Sequence, residues 1–182
     1  MSPAPPPDDP GMTSVSGLLG LVAAAVLTGA SGCGLLSFDV SQDIPAQTVP
    51  GSPLGALLPV SLFAIPMNVD IRSETAAHGT GPADSVTLSS ISLTVMSPSG
   101  ATFDFVDSIV ISIATADGSL PEIEIARLQP VPGTTSISIP PEGGVDLLPY
   151  INAGATISAA ASGHMPASDT TFAGRVVVTV HV

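Results

Sequence analysis

The sequence is poor in cysteine and in positive charge, and each shortage excludes a class of protein. Its single cysteine, Cys33, has no partner for an intramolecular disulfide. There is no lysine, and three arginines stand against 15 acidic residues, which gives a net charge of −12. Because neutralising phosphates requires clustered Lys and Arg, we expect no nucleic-acid partner and no electrostatic binding to anionic lipid.

Catalytic and metal-binding motifs are also missing. The sequence has no Gly-x-Ser-x-Gly motif of a serine hydrolase, and no two histidines have the spacing of zinc ligands. Two histidines lie in Gly-containing segments, and one lies on the outward side of the last predicted strand: His78, His164 and His181. We therefore predict no enzyme activity, no metal site and no cofactor.

Acidic residues occur in pairs that lack the spacing of a calcium-binding loop. Asp104 and Asp107, with Asp117, offer oxygen ligands, of which calcium takes about six to eight. Glu122 and Glu124 alternate with apolar residues, which is typical of the solvated face of a strand. These carboxylates are predicted to be surface groups and not a site.

The N-terminal part of the chain has the layout of an export signal. No charged residue occurs from Gly11 to Phe38, and this stretch contains the apolar run Val15–Leu27 followed by small residues. An apolar core of about 7–15 residues before small residues is typical of a signal peptide. We predict a signal peptide over residues 1–32 with a Pro-rich extension, for which Met12 is an alternative start.

The tetrapeptide that ends this signal resembles the lipobox of bacterial lipoproteins. It reads Ala30-Ser31-Gly32-Cys33, with Ala where Leu is usual, and no basic residue precedes Arg72. The resemblance implies that lipoprotein signal peptidase recognises Ala30, Ser31 and Gly32, and that lipid is attached to Cys33. The implied location is the bacterial cell envelope, with the membrane bound through that lipid.

Two other interpretations of this segment stay open. Cys33 is then either a buried apolar thiol or part of an uncleaved membrane helix, since about 20 apolar residues span a bilayer. Under the lipoprotein interpretation, Gly34 is not the residue that retains such proteins at the inner membrane, so the outer membrane is preferred. An envelope protein is the expected partner, and the oligomeric state is open.

The remainder of the chain alternates apolar and polar residues in short runs, which predicts an all-β fold. We expect an antiparallel β-sandwich of about seven to eight strands, with one short helical turn near residues 145–151. The pattern is similar to an immunoglobulin or fibronectin-type sandwich in architecture only, because Trp and a second Cys are absent. The sandwich is assigned to residues 67–182.

Residues 33–66 are assigned to the anchor cysteine, a first strand and an apolar, Pro-rich lead-in. A strand is expected over Phe38 to Ile44, and the lead-in is expected to be a loop or helical turn that covers one end of the core. Its apolar residues 54–65 are an alternative contact for a membrane or a partner.

Three further local features are predicted. Met67, Val69 and Ile71 alternate with polar residues and indicate a strand, whereas a change of parity at Ser89-Ser90 indicates a β-bulge or a bend. Asp107 falls at an apolar position of a long alternating run, which indicates a kink or two strands.

The predicted function is a structural or interaction module; the alternative is a module that binds a small apolar or carbohydrate ligand.

Overall fold

A computed structural model describes residues 37–52, 57, 61–66 and 70–182 of the chain. Within these residues the chain forms eight strands and two short helices. In chain order they are β1 (Ser37–Val49), β2 (Ser61–Pro66), α1 (Ile71–Ala77), β3 (Ser85–Ser97), β4 (Val106–Thr115), β5 (Ile123–Leu128), β6 (Ser136–Ile139), α2 (Leu148–Asn152), β7 (Ala155–Gly163) and β8 (Thr170–His181).

The strands form two four-stranded sheets with the orders β1-β8-β3-β6 and β2-β7-β4-β5. All of the pairs are antiparallel, and four of them are nested: β1 with β8, β2 with β7, β3 with β6, and β4 with β5. This strand order is that of a jelly roll. In a jelly roll, one long antiparallel hairpin of paired strands is folded over so that its strands form two sheets.

The predicted all-β sandwich is thus confirmed, with a connectivity that differs from the immunoglobulin order. In an immunoglobulin domain the first two strands are neighbours in one sheet, whereas here β1 and β2 lie in different sheets. Alternation of apolar residues fixes which face of a strand is buried but does not fix which strands pair.

The core lies between the two sheets and is built from the alternating apolar positions of the strands. Its largest side chains with under 2% exposure are Phe103, Phe172, Ile44, Ile91, Leu93, Ile109, Ile111, Ile113, Ile125, Ile139, Leu147 and Ile157. In β8 the alternating residues Val176, Val178 and Val180 are buried, and Val182 just after the strand is half-buried. Burial of this apolar surface is the main force that holds the sheets together.

Both predicted irregularities are confirmed in the strands. The register between β3 and β8 shifts between Leu88 and Ser90, as the parity change at Ser89-Ser90 indicated. The register between β4 and β7 shifts between Val106 and Ser108, so that Asp107 lies exposed at the start of β4.

The lead-in contains more regular structure than the loop that was expected. β1 continues through Pro45 to Val49, with a register shift between Ile44 and Gln47, and β2 ends at Pro66. Both are edge strands of their sheets. An edge strand has a neighbour on one side only, so a proline, which has no backbone N–H, can stand there without breaking a hydrogen bond between strands. These two strands precede residue 67, at which the sandwich was expected to begin.

A helix replaces the strand expected at Ile71. Asp70 caps α1, since its Oδ1 accepts a hydrogen bond from the Ser73 backbone N–H at 3.1 Å. The strand prediction at Ile71 was therefore wrong, and residues 67–69 lie outside the described residues. The cap satisfies a backbone donor at the start of the helix. The alternation of apolar and polar residues carries no information about this hydrogen bond.

The predicted helical turn near 145–151 is confirmed as α2, which connects the two sheets. Leu147 is fully buried, and the Tyr150 hydroxyl donates to the Pro121 carbonyl at 2.9 Å. Asp146 Oδ1 accepts hydrogen bonds from the backbone N–H groups of Val86 and Leu148, both at 3.0 Å. The crossing segment therefore binds β3 of one sheet and the β4–β5 turn of the other.

The connections divide between two ends of the sandwich. We call the end with α1, α2 and the β4–β5 turn the helix end; β1 begins there, because Ser37 pairs with His181 and Asp84 N–H donates to the His181 carbonyl at 2.8 Å. The opposite end carries the β1–β2, β3–β4, β5–β6 and β7–β8 connections and is called the loop end.

Candidate functional sites at the two ends of the sandwich

The predicted lipidation site lies outside the described residues. This applies to Cys33 and to the recognition residues Ala30, Ser31 and Gly32, so their roles stay predictions. In the described part of the chain, no helix combines the length and the apolar character that crossing a membrane requires.

A cleft of about 300 Å³ at the loop end brings together residues that are distant in sequence. Asp104 of the β3–β4 connection lies in it with His164 and Ser168 of the β7–β8 connection. All three residues are exposed, and among the described residues no hydrogen bond joins their side chains. Because a serine nucleophile needs an oriented base beside it, this cleft lacks the arrangement of a hydrolase.

The loop end is held by hydrogen bonds between neighbouring connections. His164 N–H donates to the Phe105 carbonyl at 2.9 Å, and Ser52 N–H donates to the Pro166 carbonyl at 2.8 Å. Gly51 N–H donates to Asp169 Oδ1 at 2.8 Å. Leu57, the one described side chain of the apolar segment 54–65, pairs with His164 through its backbone and is 86% exposed.

The structure separates the carboxylates that were considered as calcium ligands. Asp107 lies at the start of β4, whereas Asp117 lies in the turn after the other end of that strand. Asp117 Oδ1 accepts a hydrogen bond from the Ser119 N–H at 3.0 Å, and this bond lowers the pKa of Asp117. Within the described residues, no three His, Cys, Asp or Glu side chains are grouped so that they could hold a metal.

Glu124 forms an ion pair and not half of a carboxylate site with Glu122. Arg127 donates to both carboxylate oxygens of Glu124, from Nε at 2.7 Å and from Nη2 at 2.6 Å. The hydrogen bonds from Arg127 lower the pKa of Glu124, and the same contact raises the pKa of Arg127. Both side chains are partly exposed to solvent, as expected for a surface pair.

The three histidines occupy separate places. The ring of His78, just after α1, stacks on Phe38 of β1 with a centroid distance of 4.0 Å. His181 is half-buried on the outer face of its sheet, and its Nε2 lies 3.1 Å from Thr87 Oγ1. The structure thus assigns His78 and His181 to packing between elements of the helix end.

Two grooves at the helix end flank Arg72, a residue that the sequence analysis did not single out. One groove has a volume of about 420 Å³ and the other about 210 Å³. Both are lined by Ile71, Arg72 and Asn152, so that α1 forms one wall and α2 the other. No local sequence signal connects residues 72 and 152, because only the fold brings the two helices together.

No family model matches the sequence, and no curated protein matches it. Two solved structures to which the chain is similar are the structure of Triatoma virus and the X-ray structure of the Triatoma virus empty capsid, each at 12% identity. The first match covers 96% of this chain and 77% of the viral chain with a TM-score of 0.37; the second covers 79% and 87% with a TM-score of 0.34.

Proposed function

We propose that the chain is a lipid-anchored protein of the bacterial cell envelope whose jelly-roll domain is a structural or interaction module. The lipid is attached to Cys33 after cleavage behind Gly32, and the outer membrane is the preferred location. The module acts by contacts with an envelope partner and not by catalysis.

The observation that carries the proposal is the position of the first strand. β1 begins at Ser37, four positions after Cys33, which ends the lipobox-like tetrapeptide. Four residue steps span at most about 14 Å, so a lipid on Cys33 would leave little chain between the bilayer and the sandwich. Cleavage before Cys33 would remove no described strand.

The anchor has to be apolar because the charges of the chain oppose electrostatic binding. Cleavage before Cys33 removes Asp8 and Asp9, so the net charge of the anchored chain is −12 + 2 = −10 and repels anionic headgroups. Each acyl methylene that enters the bilayer, by contrast, contributes about 0.8 kcal/mol. One acyl chain holds a protein only marginally, and two or more on one cysteine hold it stably.

Replacement of the anchor residue tests the proposal. For the full precursor expressed in a bacterium, we expect Cys33→Ser to abolish both lipid labelling and cleavage, and the mass of the N-terminal peptide measures both. As a matched control, Cys33→Ser combined with Ser37→Cys keeps one thiol four positions away and should not restore lipidation. Equal processing and equal membrane binding of Cys33→Ser and the parent chain would refute the anchor.

A further inference from the structure

Arg72 differs from the other arginines of the described chain because its guanidinium has no partner among the described residues. Arg127 binds Glu124, and Arg175 Nε donates to Asp43 Oδ1 at 2.9 Å. Among the described residues, Arg72 makes neither an ion pair nor a side-chain hydrogen bond. Acidic neighbours are near in sequence, but Asp70 already caps α1 through its Oδ1.

The surroundings of Arg72 combine polar and apolar groups on the walls of the two grooves. Asn152 of α2 lines both grooves with Arg72 and offers a side-chain amide. The apolar walls are those of the smaller groove and come from Leu148 and Ala83, which are half-buried, because Ile71 and Ile151 are only 5% and 8% exposed. A few polar groups above apolar walls are typical of sites for small organic ligands.

We infer that the smaller groove binds a small amphipathic carboxylic acid, whose carboxylate contacts Arg72 and Asn152 and whose apolar part lies against Leu148 and Ala83. The planar guanidinium matches a carboxylate in shape and charge. A monoanion fits better than a dianionic phosphate, because Asp70 lines the larger groove beside Arg72 and repels added negative charge.

The inference does not depend on the lipid anchor, and a titration of the purified full-length chain tests it. The probe is octanoate, followed by amide chemical shifts in NMR spectra. We expect saturable shifts in α1 and α2, with little change in the cleft at the loop end. Loss of one charge-assisted contact weakens binding about tenfold or more, which is the expected effect of Arg72→Gln.

Three comparisons make the experiment decisive. Arg175→Gln removes the same charge from another exposed arginine and should bind octanoate like the parent chain. Octylammonium and inorganic phosphate should bind more weakly than octanoate, because the first lacks the negative charge and the second lacks the apolar chain. Equal binding by Arg72→Gln, equal binding of either other probe, or no saturable shift with millimolar octanoate would overturn the inference.

Discussion

Gly174 in β8 lies where a side chain has no room. A Cβ atom at this position would collide with the Ser92 carbonyl oxygen and would stand 2.6 Å from Leu93 Cδ2. Because backbone and core atoms must move apart, we expect Gly174→Ala to lower the free energy of unfolding by about 1–3 kcal/mol. Urea denaturation of the purified chain measures the change.

Gly143 is the matched control for this substitution. No atom lies within 4 Å of a Cβ added there, and the residue is in an exposed turn. We therefore expect Gly143→Ala to change stability by about 0.5 kcal/mol or less. Equal stability of the two variants would show that β8 does not approach β3 as closely as the structure has it.

A bulge in β5 creates the ion pair between Glu124 and Arg127. Ser112 pairs with Glu124 and Ile111 with Ala126, so that Ile125 is an extra residue in this strand. Residues three apart normally face opposite sides of a sheet, and the extra residue puts the two charged side chains on the same side. The fork of two hydrogen bonds then lowers the pKa of Glu124.

The ion pair predicts that the pKa of Glu124 depends on Arg127. Since the pKa of Glu124 is lower in the folded than in the unfolded chain, the pair stabilises the fold at pH values above the unfolded pKa. That contribution is lost as the pH falls through the lowered value. We expect Arg127→Gln to raise the pKa of Glu124 towards that of a free glutamate, as followed by carboxyl carbon NMR.

Arg175→Gln is the control for this titration, because the partner of Arg175 is Asp43 on another strand. The pKa of Glu124 should be the same in this variant and in the parent chain. An unchanged pKa of Glu124 in Arg127→Gln would contradict the bidentate pair.

At the scale of secondary structure elements, the sequence predicts what depends on alternation alone. The buried valines of β8, the bulge at Ser89-Ser90 and the irregularity at Asp107 follow from the parity of apolar residues. The helix α1 was missed because Ile71 continues an alternating pattern, whereas the Asp70 cap decides the structure. A local hydrogen bond thus outweighs a short periodic signal.

At the scale of the whole molecule, the pairing of strands could not be predicted from the sequence. β1 and β8 pair although they lie at opposite ends of the described chain, and no local pattern specifies that contact. The same limit applies to the candidate sites, since Arg72 and Asn152 become neighbours only when α1 and α2 meet. The N-terminal signal is predicted from the sequence without knowledge of the fold, because a signal peptide is defined by the order of residues along one short segment.

If Cys33 carries lipid, the order of strands fixes which end of the domain faces the bilayer. β1 begins at the helix end, at most about 14 Å along the chain from the anchor, and its 13 residues span about 40 Å to the loop end. The grooves beside Arg72 then face the bilayer, and the cleft with Asp104 and His164 faces away from it.

Two exposed alanines at opposite ends make this orientation measurable. Ala116 lies in the β4–β5 turn at the helix end, and Ala167 lies in the β7–β8 connection at the loop end. Because lipid blocks the thiol of Cys33, Ala116→Cys and Ala167→Cys each provide one site for a fluorophore. In vesicles with a quencher on the headgroups, we expect strong quenching at position 116 and weak quenching at 167. Equal quenching would mean that the domain lies on its side, and the reverse order would contradict a tether that enters at β1.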